Sequence, residues 1–318
     1  MLKEKIKVLR ENLGLRNKIR IILLVIVLVI ILFVNSYLIF DKNIKTEEEP
    51  EAFIESITDE APVIKITKNI AYVANQLSNS VSIVDLDKSQ VIKHIEIEEP
   101  HELYLDKNLL YVTSSKTDNI TVININKNEI IDAIESESPH GILVVDDSIY
   151  VTNADKNSVT IINKTSLVYK DIEVGLQPHM LVKDKHNFVY ATNIVSDDIA
   201  IINNDIQKLA DIIHVGDGPE GIAIDPQEKF IYITNQEANE VAALTLKNKK
   251  INKIQVDSRP LRVIFSNAGR LAFVSNFNSN TISIINTYKQ NVINKIKTDY
   301  SPLGLALSED DRYLYVTN

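Results

Sequence analysis

The sequence predicts an all-β fold, a seven-bladed β-propeller preceded by one N-terminal transmembrane helix. Three observations lead there. The tetrad Tyr150-Val151-Thr152-Asn153 recurs in variant form from Tyr72, Tyr111, Tyr190, Tyr232, Phe273 and Tyr315, at intervals of 39, 39, 40, 42, 41 and 42 residues. Seven of the nine prolines, Pro62, Pro100, Pro139, Pro178, Pro219, Pro260 and Pro302, each stand shortly before one of these tetrads. The intervening runs are short, rich in Val and Ile, and lack helical periodicity. A unit of about 40 residues built this way reads as a propeller blade of four strands. Because the repeat occupies residues 51–318, it leaves no space for a second domain.

Taken in order, residues 1–20 carry seven Lys or Arg against two Glu and form a basic cytoplasmic segment. Residues 21–40 are almost wholly aliphatic, long enough for a helix of roughly 30 Å, and are read as an uncleaved signal anchor. Residues 41–50 form an acidic linker. The positive flank normally stays in the cytoplasm, which puts the propeller outside the cell or in the periplasm.

Within a unit, proline marks entry into strand A. In the third unit, residues 139–145 are expected as strand A, 149–152 as strand B, the region around Val159 and Ile161 as strand C, and about 167–174 as strand D. Asn and Asp tolerate left-handed backbone angles, so Asn79, Asp118, Asp197, Asn239 and Asn280 are expected in the B–C turns. The tetrad aromatics are expected in the seams between blades. Gly216-Asp217-Gly218 resembles a phosphate loop but joins two strands with no helix behind it, and reads as a turn.

These tetrads, together with the Pro139-His140-Gly141 triplet, resemble the YVTN-repeat β-propeller family over residues 51–318. The resemblance implies an exported propeller like those of surface-layer and adhesion-type proteins. It implies no shared activity, since related propellers include lactonases and haem- or quinone-linked enzymes. The absence of Trp argues against the WD40 class.

Closure of the ring is the awkward point. The chain supplies seven A and seven B strands but stops at Asn318, before strands C and D of the last blade. Residues 52–57 match the position of a strand D, so the N-terminus is expected to complete that blade; a chain that ends early, or an open last blade, are the alternatives.

Composition narrows the function classes. The net charge is −9, and with the basic segment removed the remainder is −14, which disfavours nucleic acid. Absence of Cys excludes disulfides, thiolate metal sites and a catalytic thiol. No nucleophile elbow or Walker pattern occurs, and His94, His186 and His214 have no partner spacing.

One constellation remains. His101, His140, His179 and Glu220 follow the proline in four consecutive blades and are expected to converge at the channel mouth as a ligand-binding arc. Three imidazoles and a carboxylate could hold a divalent metal; the plainer reading is repeat vocabulary at the rim, with no cofactor. Arg259 and Arg262, around the sixth entry, could face this arc across the channel and receive an anion; the plainer reading, taken here, is ordinary surface charge. The expected function is a membrane-anchored binding module for a surface protein or cell-wall polymer, with no catalytic residues. The alternative is a channel-mouth hydrolase, lactonase-like or metal-dependent, built on the same arc.

Overall fold

The computed structural model describes residues 63–318, together with the backbone of Val25–Ile26, Val29–Ile30 and Phe53–Ile54. The basic segment, the membrane helix and the linker expected over residues 1–50 lie outside the described residues, apart from those backbone fragments. Among the described residues no helix is long and apolar enough to cross a membrane.

The fold is an all-β propeller. Six antiparallel sheets of four strands follow one another, each ordered A to D as the chain runs. Blade 1 comprises Val63–Thr67, Ile70–Asn75, Ser80–Asp85 and Gln90–Glu96. Blades 2 to 6 begin with Pro100–Asp106, Pro139–Val145, Pro178–Lys183, Pro219–Ile224 and Pro260–Phe265. A small sheet follows, in which Leu305–Leu307 pairs antiparallel with Tyr313–Val316.

The small sheet closes the ring. On one side Leu305 and Leu314 share an apolar cluster with Phe273 of blade 6. On the other, Tyr315 packs with Ile64, Ala71 and Val73 of blade 1. The strand beside Tyr313–Val316 is Val29–Ile30, antiparallel, whereas Phe53–Ile54 pairs with Val25–Ile26. Of residues 52–57, expected to supply strand D, the described part is the strand Phe53–Ile54, whose partner is Val25–Ile26 and not Tyr313–Val316 itself. An antiparallel partner satisfies the free edge of Tyr313–Val316, which a parallel strand at that place would fit less well.

Each tetrad residue has its own task. The aromatic leaves its blade and packs on the next: Tyr72 meets Leu103 and Val112, Tyr111 meets Ile142 and Val151, Tyr150 meets Leu181 and Val189, and Tyr232 meets Val263 and Val274. The asparagine is buried and reaches across the B–C turn with its Nδ2. Asn153 donates to Thr160 Oγ1 at 2.9 Å, and Asn276 donates to Ser283 Oγ at 2.9 Å.

The B–C turns are equally regular. Asn79, Asp118, Asn157, Asp197, Asn239 and Asn280 all have φ between 48° and 60°. Each uses Oδ1 to accept, at 2.8–2.9 Å, the backbone N–H of Glu99, Ser138, Gln177, Gly218, Arg259 or Ser301 respectively. Those acceptors fix the D–A connection, and so fix where the next proline stands. The segment around Gly218, at φ 66°, is the turn that the sequence suggests. Strand D of blade 3 is Tyr169–Glu173, shorter than expected. Leu167 has φ 56° and its N–H closes a turn on the Asn163 carbonyl at 2.9 Å, so it cannot extend the strand.

Candidate ligand site at the channel mouth

The site grows from the triplet that opens each blade. In blade 3 the register passes from Pro139 opposite Asn153 to Ile142 opposite Val151, so one extra residue bulges out of strand A. The tetrad threonine fills that bulge. Thr152 Oγ1 accepts the Gly141 N–H at 2.7 Å and donates to the His179 carbonyl of blade 4 at 2.7 Å. Thr113 makes the same link to the His140 carbonyl at 2.6 Å, Thr192 to the Glu220 carbonyl at 2.9 Å, and Thr234 to the Leu261 carbonyl at 3.0 Å. Ser275 serves Leu303 likewise at 3.0 Å. Buried polar backbone is thereby satisfied across the seam, and the residue after each proline is anchored by its own carbonyl.

Gly141 allows the tightest approach. A Cβ there would lie 1.9 Å from the His179 carbonyl oxygen. The consequence is visible in the imidazoles, whose ring centroids are 3.7 Å apart for His140 and His179 and 4.6 Å apart for His101 and His140. The sequence-predicted arc of His101, His140, His179 and Glu220 does converge.

Its chemistry differs from a rim of local hydrogen bonds. His101 Nε2 lies 2.9 Å from Ser115 Oγ and 3.3 Å from Gln76 Nε2. Gln76 Nε2 is a donor, so His101 Nε2 accepts and the ring carries its proton on Nδ1. His140 Nδ1 is buried with no hydrogen-bond partner. His179 Nδ1 lies 3.1 Å from Glu220 Oε1 but off the hydrogen-bonding direction, so it too is unsatisfied.

Arg262 joins the cluster, contrary to its reading as surface charge. Its Nη1 reaches Glu220 Oε1 at 3.2 Å and its Nη2 reaches Glu102 Oε2 at 3.1 Å. The side chain is only 12% exposed, against 4% for Glu102 and 9% for Glu220. Burial of a guanidinium requires such partners. Arg262 thus spans the channel from blade 6 to blades 2 and 5. Arg259 stays outside, donating from Nε to Gln236 Oε1 at 3.4 Å with its guanidinium 5.1 Å from the Phe277 ring centroid.

Burial controls the protonation states. It holds His140 and His179 well below the ordinary imidazole value, with neighbouring imidazoles and Arg262 adding like-charge repulsion. His101 is lowered for the same primary reason. Burial pushes the Glu220 carboxyl up to about 7, outweighing the attraction of Arg262. The mouth therefore holds neutral imidazoles beside a carboxyl that exchanges its proton near neutrality.

Among the described residues no group of three or more His, Asp or Glu side chains is placed to hold a metal ion. Glu102, Gln76, Ser115 and Gln236 belong to the site although sequence reasoning did not single them out. Glu102 and Arg262 occupy the same third place of the opening triplet in different blades, and their opposite charge was the available signal.

The fold and this closed mouth define a β-propeller whose channel is capped by buried polar groups. No family model matches the chain, and no curated protein matches it. Solved structures do. The chain is similar to Kuenenia stuttgartiensis hydrazine synthase, with a TM-score of 0.70 and 17% identity, covering 78% of this chain and 89% of that one. It is similar to a streptogramin B lyase, with a TM-score of 0.71 and 15% identity over 83% of this chain and 95% of that one. It is also similar to a catalytically inactive variant of Staphylococcus aureus virginiamycin B lyase bound to quinupristin, with a TM-score of 0.68, 16% identity and coverages of 81% and 95%. At these identities the likeness is one of fold.

Proposed function

We propose that this chain is a membrane-anchored, extracytoplasmic propeller of the YVTN-repeat kind that acts as a binding module at the cell surface. The small sheet is the inner part of a seventh blade. The ligand, a surface protein or wall polymer, contacts the mouth around His101, His140, His179 and Glu220. The observation that carries this reading is the Arg262 bridge to Glu102 and Glu220, because it pairs the charged groups of the mouth with one another. Support for the anchor is the aliphatic run over residues 21–40 with its basic flank.

The chain has no cysteine, so single thiols report topology cleanly. In intact cells a membrane-impermeant maleimide is expected to label Lys156→Cys, in the B–C turn of blade 3, and to spare Lys5→Cys. Protection of both, or labelling of Lys5→Cys alone, overturns the placement. A helix over residues 21–40 and the pairing of Val29–Ile30 with Tyr313–Leu314 are alternatives for one segment. Disulfide cross-linking of an Ile30→Cys, Tyr313→Cys pair would support the pairing and count against the anchor. For the ligand, retention of the chain on an isolated envelope fraction is expected to fall in the His140→Ala, His179→Ala double variant.

One observation favours a second reading. A carboxyl of pKa about 7 lying 3.1 Å from a neutral imidazole can exchange protons with a substrate, as an acid–base enzyme requires. Two of the similar structures are lyases, which suits this reading without establishing it. Turnover abolished by Glu220→Gln would decide for the enzyme. Stoichiometric metal lost in the same His double variant would decide for the metal-dependent form.

A further inference from the structure

The inner strands of the ring line a cavity of about 320 Å³, with Glu102 and Arg262 among the lining residues. Most of the lining is aliphatic, with Leu103, Ile142, Leu181 and Ile222 among it. Two lining residues break this pattern, Lys65 of blade 1 and Lys183 of blade 4. Blades 2 and 3 stand between them, so they line the cavity from different walls.

Neither lysine is neutralised. Among the described residues neither forms an ion pair with a carboxylate, and Lys183 Nζ donates only to the Asp184 carbonyl at 3.0 Å. Uncompensated positive charge on the wall of an apolar cavity favours an anion whose body is apolar.

We propose that this cavity binds a small anionic amphiphile, a carboxylate on a short aliphatic body, with Lys65 and Lys183 receiving the carboxylate. The volume lies at the lower end of the roughly 300–1,000 Å³ range of small-molecule pockets, which limits the body to a medium-length chain. The cavity shares Glu102 and Arg262 with the mouth cluster, while Lys65 and Lys183 stand further along strand A, and the proposal does not depend on what the mouth binds.

The test uses the full chain in nonionic detergent with Ala223→Cys, a cavity-lining position, as its sole thiol. Octanoate is expected to slow methyl methanethiosulfonate modification of that thiol in a saturable way, and octyltrimethylammonium at equal concentration is not. Replacing both lysines by Met, which keeps length and removes charge, is expected to raise the half-protecting octanoate concentration at least about tenfold. The detergent partition of the amphiphile is common to both chains and cancels in that ratio. Met180→Cys provides a second thiol on the same wall if Ala223→Cys does not fold. Absence of protection at either thiol, equal protection by the two amphiphiles, or protection unchanged by the lysine substitutions would each overturn the proposal.

Discussion

At the residue scale the tetrad threonine is the clearest case of one hydroxyl doing two jobs. Thr152 accepts from Gly141 within its blade and donates to His179 in the next. Thr152→Val keeps the shape and leaves both backbone groups without that partner. The expected cost is about 1–3 kcal/mol, read as a lower thermal midpoint. A neutral result would mean that water reaches the seam.

Protonation gives a second residue-scale prediction. The Glu220 carboxyl titrates at about 7 in the folded chain against an ordinary 4.5. Between those values the folded state binds more protons than the unfolded state, so stability falls as pH rises through the window and stays lowered above it. The displacement corresponds to roughly 3 kcal/mol at most. His140 and His179 act in the opposite sense. Their folded values lie below 6.5, so the unfolded chain takes up protons first and stability falls as pH drops below that point. The midpoint difference between wild type and Glu220→Gln should therefore decline from pH 4.5 to 7 and then level off. A flat difference across that range would show that Glu220 titrates normally.

At the element scale the B–C turn and the D–A connection form one device. A left-handed Asx residue accepts the N–H of a residue 20 or 21 positions later, in six blades. Asn157→Ala loses the acceptor for Gln177 and keeps a Cβ at φ 55°, whereas Asn157→Gly loses the acceptor and the Cβ together. The alanine variant is expected to cost about 1–2 kcal/mol more than the glycine variant. Amide exchange at Gln177 should accelerate in both. Equal stabilities would mean that the left-handed angle is relaxed by the substitution.

This element is also where the sequence was most readable. Prolines, tetrads and turn Asx residues are local signals with local causes, so the repeat, the strand order within a blade and the seam position of the aromatics could be read from one chain. Convergence of His101, His140, His179 and Glu220 was legible for the same reason, since equivalent places in neighbouring blades must be close. Arg262 was not. Its partner Glu102 is 160 residues away and four blades removed, and only ring closure brings them together. The orphaned Nδ1 atoms of His140 and His179 were equally hidden, because they depend on how tightly Gly141 lets two blades approach.

At the scale of the whole molecule the ring is held by its seams and by one bridge through its centre. Every seam contact joins neighbours, but Arg262 ties blade 6 to blade 2 as well as to adjacent blade 5. Arg262→Met would leave Glu102 and Glu220 facing each other, buried and unpaired. Breaking a buried pair in this way typically costs about 3–5 kcal/mol, because the remaining charge loses its compensation. Replacing all three groups, as Glu102→Gln, Glu220→Gln and Arg262→Met together, removes the buried charges. The triple variant is therefore expected to recover most of the thermal midpoint lost by Arg262→Met alone. Such recovery would assign the bridge to specifying a closed mouth rather than to raising stability. A triple variant as unstable as the single one would mean that the guanidinium stabilises the ring through packing across the channel, and that the carboxylates are secondary to it.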